Sequence, residues 1–314
     1  DEITLNSRLK IRSQFLAGLH TNKISIEKSD KKGNNKLTVD FLSLYRINDN
    51  YLITGKWDMQ KMNNRIDVNL EHKYKYSYGQ GALNLLLQSS ALGSAYDYNA
   101  LSLSARNNNK LERLKITTRA FFQIGTGNNW AEESKLGLAG ANNEEMMDSK
   151  FTRAEGIISS DYMSYDYTTN YFHAGGGLNL RGYSGYLAPE FNKDSTLASF
   201  NYNGTSGASF NTEVDFTAYL PYSIRNNNIA SYLFADAGII SNEQLNKHNL
   251  TTAFGDVRVD AGIGFTYTFR NFGPLERVKP LVIRFDMPLF LNRTPASDED
   301  FVQMRWIIGI NRAF

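Results

Sequence analysis

The stretch that decides the fold reads Val257-Arg258-Val259-Asp260-Ala261-Gly262-Ile263-Gly264-Phe265-Thr266-Tyr267-Thr268-Phe269-Arg270. Its apolar and aromatic side chains occupy the odd-numbered positions, and its charged, hydroxyl and glycine residues occupy the even-numbered ones. This period of two is that of a β-strand with one apolar and one polar face. Residues 65–75 alternate in the same way. Strands of this length can cross a membrane when tilted, which takes about 9–11 residues.

The composition allows a membrane protein built from strands and argues against several other classes. The chain has 314 residues, of which 41% are hydrophobic and 13% aromatic, and its mean hydropathy is -0.42. It holds no run of about 18 apolar residues, so a helical membrane span is excluded. Strands of a membrane barrel average out to polar, so a barrel remains possible beside a soluble all-β protein. No cysteine is present and the net charge is +2, so we expect no thiolate metal site and no nucleic-acid partner.

The same alternation recurs along the chain and predicts about twelve strands, or sixteen if N-terminal strands escape recognition. The predicted strands are 8–19, 36–46, 51–59, 65–75, 81–89, 98–106, 112–125, 208–220, 229–240, 257–270, 280–290 and 303–314. An even number of antiparallel strands is typical of closed outer-membrane barrels, because closure leaves no unpaired edge in lipid. We therefore predict an all-β fold, a closed antiparallel transmembrane β-barrel, that forms a single domain over residues 1–314.

Short and long connectors alternate, which indicates the orientation. The predicted connectors 47–50, 76–80, 107–111 and 222–228 are short, whereas 20–35, 90–97, 126–207, 241–256 and 291–302 are long. Outer-membrane barrels have short periplasmic turns and long external loops, so both termini are predicted in the periplasm. The connector 60–64 breaks the rule, because it should be external and is short. No signal peptide is visible at Asp1, so we expect a processed or truncated product.

One predicted external loop, residues 126–207, is far longer than an ordinary connector, and loops of that length are usually functional or disordered. It contains an acidic segment from Glu132 to Asp148, for which a solvated loop is a better interpretation than a cation site. It also contains a glycine run, Gly175–Gly177, shortly before Leu180-Arg181-Gly182-Tyr183. Glycines of this kind permit a tight loop tip with positive φ.

The Leu-Arg-Gly-Tyr segment and the strands that follow it resemble the BamA superfamily of outer-membrane barrels, which includes the barrel assembly factor, its TamA relatives and the two-partner secretion transporters. The shared features are the Arg181-Gly182-Tyr183 tip in a long external loop, an inward acidic residue at Glu213, Phe-x-Asp-x-Gly at Phe234-Ala235-Asp236-Ala237-Gly238, Gly-Pro-Leu at 273–275 and a terminal Phe314. The resemblance covers residues 170–314. The earlier residues match only in forming strands.

The alternation itself places Glu213 and Asp236 inside the barrel, where a partly desolvated carboxylate tends to be paired. Arginine is a suitable partner because its guanidinium is permanently charged and planar. The resemblance implies that the loop folds back into the lumen and that Arg181 binds near Asp236 and Glu213. The alternative is that these are ordinary luminal charges among many, such as Arg119, Lys115, Arg284 and Asp286. The resemblance also implies a C-terminal export signal at Ile308, Ile310 and Phe314.

Two functions remain open. The first is a superfamily barrel that helps polypeptides enter or cross the outer membrane by binding and lateral opening. The second is a C-terminal anchor or translocator of a larger protein whose enzyme or binding domain precedes residue 1; the low strand count and the absence of a transport-associated domain favour it. A plain pore is disfavoured by the motifs. We expect no enzyme activity, cofactor or metal, and as partners outer-membrane lipid, client or passenger polypeptides, and the barrel assembly machinery.

Overall fold

The structure is a computed structural model that describes residues 6–16, 18–47, 58–148, 171–191, 197–221, 228–241, 254–269, 281–293, 301–302 and 304–310. Twelve longer strands or strand remnants form its wall: β1 (Asn6–Leu16), β2 (Leu19–Ser29), β3 (Asn35–Arg46), β4 (Met62–Tyr76), β5 (Gly79–Ser90), β6 (Asp97–Leu111), β7 (Leu114–Asn129), β13 (Gly207–Asp215), β14 (Ile229–Ile240), β15 (Arg258–Phe269), β16 (Leu281–Leu291) and β17 (Ile307–Ile310). The segment between β7 and β13, which we call the connector, carries β8 (Leu136–Gly137), α1 (Asn143–Asp148), β9 (Phe172–His173), β10 (Pro189–Phe191), β11 (Leu197–Phe200) and β12 (Asn203–Gly204).

The twelve wall strands and β9 form one 13-stranded sheet in the order β1-β2-β3-β4-β5-β6-β7-β13-β14-β15-β16-β17-β9. Neighbours that follow one another along the wall are antiparallel, and only β9, at the end of the sheet, pairs in parallel, with β17. Two small sheets, β10-β11 and β12-β8, lie within the connector region. Within the described ranges, no helix is long and apolar enough to cross a membrane.

The alternation of the sequence becomes two chemically different faces of the sheet. Apolar side chains on the outer face are exposed, as at Ile11 (74%), Leu70 (46%) and Phe210 (53%). Polar side chains on the other, inner face are buried, as at Arg65 (3%) and Asp236 (1%). The connector packs against this inner face on both halves of the sheet, so the sheet curls around it.

The structure corrects the prediction at the N-terminus. Residues 8–19 were predicted as one strand followed by a long external loop, 20–35, but β1 and β2 form a hairpin that turns at Gly18, with φ +77°. The alternation of β2 rests on two strong hydrophobic residues only, Ile24 and Ile26, and the turn lacks the usual Asn-Gly or Asp-Gly pair. The sequence signal was therefore weak on both counts.

A second correction follows from the direct pairing of β3 with β4. The predicted strand 51–59 falls mostly outside the described residues, and Asp58 and Met59 are not in a strand. Residues 47–61 therefore connect β3 to β4, and they do so at the end of the sheet where the connector emerges. The prediction that 60–64 is an unusually short external loop is consequently wrong. The turn between β2 and β3 lies at the opposite end, which is also where β1 begins and β17 points.

Two predicted strands are shorter in the structure. The strand predicted at 208–220 ends at Asp215 and is followed by a 3-10 turn, Thr217–Tyr219. Of the strand predicted at 303–314, the structure describes β17, and Phe314 lies outside the described residues. Among the described residues, no hydrogen-bonded pairing joins β17 to β1, and β9 pairs with β17 at Ile308 and Gly309.

Candidate functional site

The connector folds onto the inner face through a small hydrophobic core, to which residues on both sides of β9 contribute. This core comprises Leu136, Leu138, Leu178, Leu180, Tyr183, Ala188, Ile240 and Leu291. Only the last two belong to wall strands. The core therefore fixes the connector as a body that lies against β14 and β16.

The glycine run builds the tight turn that precedes the Arg-Gly-Tyr segment. Gly177 and Asn179 have φ values of +49° and +60°, which lie in the left-handed region. A Cβ atom on Gly177 would lie 2.3 Å from the carbonyl oxygen of Gly140. Arg119 of β7 donates a hydrogen bond of 2.7 Å from Nη2 to the carbonyl oxygen of Gly177 and so ties the turn to the wall.

Arg181 is fully buried and binds the carboxylates of two adjacent wall strands. Its Nε donates to Asp236 Oδ2 at 2.7 Å, its Nη2 to Asp236 Oδ1 at 3.3 Å, and its Nη1 to Glu213 Oε1 at 2.7 Å. The backbone N–H of Arg181 also donates to Asp236 Oδ2, at 3.4 Å. The guanidinium carbon lies 4.3 Å from the centre of the Phe234 ring. Each of the two carboxylates named in the sequence analysis thus contacts Arg181.

A second arginine, Arg284, binds one of the same carboxylates. Arg284 Nη2 donates to Glu213 Oε1 at 2.5 Å and to the Tyr232 hydroxyl at 2.8 Å, and that hydroxyl donates to Asp286. Asp286 Oδ2 also lies 3.7 Å from Arg181 Nη1. We call Arg181, Glu213, Asp236, Arg284 and Asp286 the C-terminal dock. Contacts among these two cations and three carboxylates offset much of the desolvation free energy that burying any one of them alone would cost.

Close packing explains the two glycines of the motif. A Cβ atom on Gly182 would lie 2.6 Å from Asp260 Cβ, and one on Gly238 would lie 2.8 Å from Leu180 Cδ1. A larger residue at either position would push the connector off the wall. The hydroxyl of Tyr183 donates to Asn292 Oδ1 at 3.0 Å, and burial raises the pKa of Tyr183 to about 12. The structure therefore brings together Arg181, Gly182, Tyr183, Glu213, Asp236 and Gly238.

Sequence reasoning missed three charged residues beside this dock. Arg305 donates to the carbonyl oxygens of Gly182 and Ser184, the latter at 2.6 Å. Arg258 Nη2 donates to the carbonyl oxygen of Ala188 at 3.2 Å. Asp260 is directly opposite Asp236 in the register, and its buried carboxyl group lies beside Gly182. Arg258 and Asp260 occupy even-numbered positions of an alternating strand, which predict an inner-face side chain, and this was the signal that could have identified them.

A second group of contacts holds the connector to β4. Arg65 donates to Asp67 Oδ1 at 2.6 Å and to Asp67 Oδ2 at 2.8 Å, and to Glu144 Oε2 at 2.6 Å and Oε1 at 2.5 Å. Ser134 Oγ accepts from Arg65 Nη1 at 3.1 Å and donates to Glu144 Oε2 at 3.1 Å. We call Arg65, Asp67, Ser134 and Glu144 the N-terminal dock. The interpretation of 132–148 as a solvated loop is therefore wrong for Ser134 and Glu144.

The surroundings of the N-terminal dock bury a further acid. Glu133 is 6% exposed and accepts a hydrogen bond of 2.8 Å from Asn63 Nδ2. Burial raises the pKa of the Glu133 carboxyl, and the hydrogen bond from Asn63 only partly opposes this. Trp130 stacks on Tyr98 with ring centres 4.5 Å apart. Trp306 is 40% exposed on the outer face.

A polar cavity of about 650 Å³ lies between the connector and the inner faces of β1 to β7. Its lining includes basic side chains (Arg12, Lys23, Arg65, Arg106 and Arg119) and acidic ones (Asp40, Asp67, Glu71, Glu144 and Glu145). The signs are mixed, so the cavity does not select ions of one charge. Among the described residues, no three His, Asp or Glu side chains are placed to hold a metal ion.

No protein-family model and no curated protein sequence matches the chain. Among solved structures, it is similar to BamA from Haemophilus ducreyi lacking POTRA domains 1–3, with a TM-score of 0.46 and 13% identity over 98% of this chain and 59% of that chain. It is also similar to the NanC porin, with a TM-score of 0.31 and 7% identity over 98% of this chain and 100% of that chain. A third similarity is to OccK10 (OpdN) of Pseudomonas aeruginosa, with a TM-score of 0.34 and 11% identity over 91% of this chain and 67% of that chain. The chain thus spans about three fifths of the BamA chain, and no function follows from similarities at this level.

Proposed function

We propose that the chain is an outer-membrane β-barrel that assists the insertion or translocation of polypeptides. One observation carries the proposal: Arg181 of an outsized connector is fully buried against Asp236 and Glu213 on the inner wall. Removing either side of such a pair would strand a charge in a dry environment, so the connector is a specified part of the barrel interior. The resemblance of residues 170–314 to the BamA superfamily agrees with this arrangement.

The outer face supports the placement in a membrane. Large apolar side chains are exposed on strands throughout the sheet, for example Leu9 (63%), Leu87 (48%) and Leu233 (53%). Contiguous exposed apolar surface of this extent is unfavourable in water, at roughly 25 cal/mol for each Å². A lipid environment removes this cost. We propose as partners outer-membrane lipid, the barrel assembly machinery during the chain's own insertion, and an unfolded client or passenger polypeptide.

The mechanism is binding and movement rather than covalent chemistry. The two docks hold the connector against both halves of the sheet. While both docks are formed, the connector closes the interior. A polypeptide can pass only if at least part of the connector moves. Because both docks consist of ion pairs, an incoming chain that offers competing charges and hydrogen bonds can replace them in turn.

The second candidate is a C-terminal anchor or translocator for a domain that precedes residue 1. The specific observation in its favour is the double attachment of the connector, at Arg181 and at Arg65, which suits a permanently closed anchor. The two candidates differ in whether the isolated barrel accelerates the insertion of other polypeptides.

Orientation is tested by labelling single cysteines, since the natural chain has none. Leu92→Cys lies in an exposed turn at the end where the connector emerges, and Lys32→Cys lies in the β2–β3 turn at the opposite end. We expect an impermeant thiol reagent to label Leu92→Cys on intact cells and Lys32→Cys only after the outer membrane is breached. The reverse pattern would invert the proposed topology.

Function is tested in lipid vesicles that contain the purified barrel. A urea-unfolded outer-membrane barrel protein is added, and its folded fraction is followed by the mobility of unheated samples on gels. We expect faster folding than in empty vesicles and in vesicles that contain an equal amount of an unrelated porin. Equal folding rates in all three kinds of vesicle would rule out insertion as the function of the barrel. The C-terminal anchor would then be the better candidate.

A further inference from the structure

The last wall strand, β17, pairs with β16 along one edge. Its other edge is covered by the chain's own connector. Phe172 lies beside Ile308, and His173 lies beside Gly309, in a parallel pairing. The N–H of Ile308 donates a hydrogen bond of 2.6 Å to the carbonyl oxygen of Tyr171. Three connector residues thus act as a short extra strand at the edge.

Side chains on both faces reinforce this contact. On the outer face, the ring of Tyr171 stacks on that of Trp306 with centres 4.0 Å apart and planes at 6°. Trp306 in turn stacks on Phe285 of the neighbouring strand β16, at 6.1 Å. On the inner face, His173 is 4% exposed, and its Nε2 lies 3.0 Å from the carbonyl oxygen of Ala139. The aromatic stack is suited to a membrane interface, where such rings have one apolar and one polar side.

The position of this segment matters because an uncovered strand edge presents unpaired N–H and C=O groups. In lipid no water satisfies them, and in water they pair with other strands. Among the described residues, β1 does not pair with β17. The seam between the two ends of the sheet is therefore covered on the β17 side by the connector.

The covering segment is also close to the C-terminal dock. Gly309, which pairs with His173, lies next to Arg284, since a Cβ on Gly309 would be 3.6 Å from Arg284 Cβ. Arg284 binds the same Glu213 oxygen as Arg181. A connector that leaves the dock therefore disturbs the neighbours of His173.

We propose that Tyr171–His173 is a removable edge cap, which keeps the β17 edge closed in cis and releases it when the connector leaves the C-terminal dock. The cap rests on the proposed insertion function, to which it adds regulation: the seam opens to an extended polypeptide strand only after the connector undocks. Strand addition to an exposed edge is a general mode of peptide recognition, and the cap occupies the place such a strand would take.

The cap is tested first by disulfide formation in the purified full chain. Phe172→Cys and Ile308→Cys are neighbours in the pairing, and no natural cysteine competes. We expect this pair to oxidise readily in the folded barrel. As matched controls, Ile308→Cys is combined with Leu9→Cys or Ile11→Cys, which are exposed on the outer face of β1. Oxidation of a β1 pair in preference to the cap pair would overturn the proposal.

The link to the dock is tested by adding Asp236→Asn to the cysteine pair. This change keeps the shape of the side chain and removes the charge that Arg181 binds. We expect the rate of disulfide formation to fall about tenfold, because a released connector lowers the effective concentration of the two thiols. The control is Asp40→Asn, which removes an inward carboxylate paired with Lys23 on the far wall. Equal rates with both changes would show that the cap is independent of the dock.

The regulatory part is tested in the vesicle assay with the oxidised and the reduced cap pair. We expect oxidation to abolish client folding above the level of empty vesicles and reduction to restore it. If the disulfide forms and client folding is unchanged by it, the cap exists but does not gate the seam, and the proposal fails while the insertion function stands. If the reduced pair and the unmodified chain are both inactive, the insertion function fails and the regulatory proposal fails with it.

Discussion

The C-terminal dock and the N-terminal dock hold the same connector with opposite polarity. In the first, the connector supplies the arginine, Arg181, and the wall supplies the carboxylates. In the second, the wall supplies the arginine, Arg65, and the connector supplies Glu144. The first is drier: the side chains of Arg181 and Asp236 are both 0% exposed, whereas that of Glu144 is 18% exposed. Since water screens ion pairs, the first dock should dominate the attachment of the connector.

The largest expected effect concerns the C-terminal dock. Arg181→Ala or Asp236→Ala should each lower the free energy of unfolding by about 3–5 kcal/mol, because each leaves a buried partner charge unpaired. The double variant should be little worse than either single one, as measured by urea unfolding in detergent or vesicles. Arg181→Lys should rescue only partly, since an ammonium cannot make the bidentate contact. Additive losses would mean that Arg181 does not bind Asp236.

The second prediction concerns the N-terminal dock. Arg65→Ala should cost about 2–3 kcal/mol, because it removes charge-assisted hydrogen bonds but leaves Glu144 with access to water. Glu144→Ala should cost less, since Asp67 still pairs with Arg65. Urea unfolding with the same readout gives both values. A loss from Arg65→Ala that exceeds the loss from Arg181→Ala would reverse the ranking of the two docks.

The third prediction separates close packing from charge in the C-terminal dock. Gly182→Ala should destabilise by about 1–2 kcal/mol, because the new methyl group would overlap the Asp260 side chain and force the connector outward. Asp260→Gly in the same chain should recover part of this loss, because the atom nearest to the new methyl group is Asp260 Cβ, which glycine lacks. The measurement is the double-mutant cycle between these two positions. Independence of the two changes would place Gly182 away from Asp260.

The smallest effect is a pH dependence that arises at Glu133, beside the N-terminal dock. The folded-state pKa of Glu133 is raised by burial, so the folded state favours the protonated acid. The resulting stability is fully present below the ordinary pKa of glutamate and is lost as the pH rises through the raised folded-state pKa. Glu133→Gln should therefore raise stability by roughly 1 kcal/mol at pH 8 and change little at pH 4. A benefit that is equal at both pH values would show that Glu133 titrates normally.

The two docks also differ in how far the sequence revealed them. The C-terminal dock was predictable because its arginine lies in a glycine-flanked motif and its carboxylates have inward parity on strongly alternating strands. The N-terminal dock was not, because Glu144 lies in an acidic segment that resembles any solvated loop. Its partner Arg65 was only one of many inward charges. Nothing in the local sequence of Glu144 indicates that a basic wall residue lies within reach.

The N-terminal wall shows the same limit for strands. Alternation located β4 to β7 and β14 to β16 to within about five residues, because apolar residues dominate their outer faces, and it placed the end of β13 five residues too late. It missed β2, where Thr21, Asn22 and Lys23 dilute the pattern, and it predicted the strand 51–59, which the direct pairing of β3 with β4 excludes as a wall strand between them. Pairing decides such cases, because a weak strand is stabilised by the ladders on either side of it.

The sequence by itself determined the class of the fold, the apolar and polar faces of the wall, and the residues of the Arg-Gly-Tyr contact. These depend on a period of two and on local motifs, both of which are readable one segment at a time. Only the tertiary structure decided that Arg65 meets Glu144, that Asp260 faces Asp236, and that Tyr171–His173 covers the edge of β17. Those contacts join residues far apart in the chain, and they depend on strand pairing and on the way the connector folds back against both halves of the sheet.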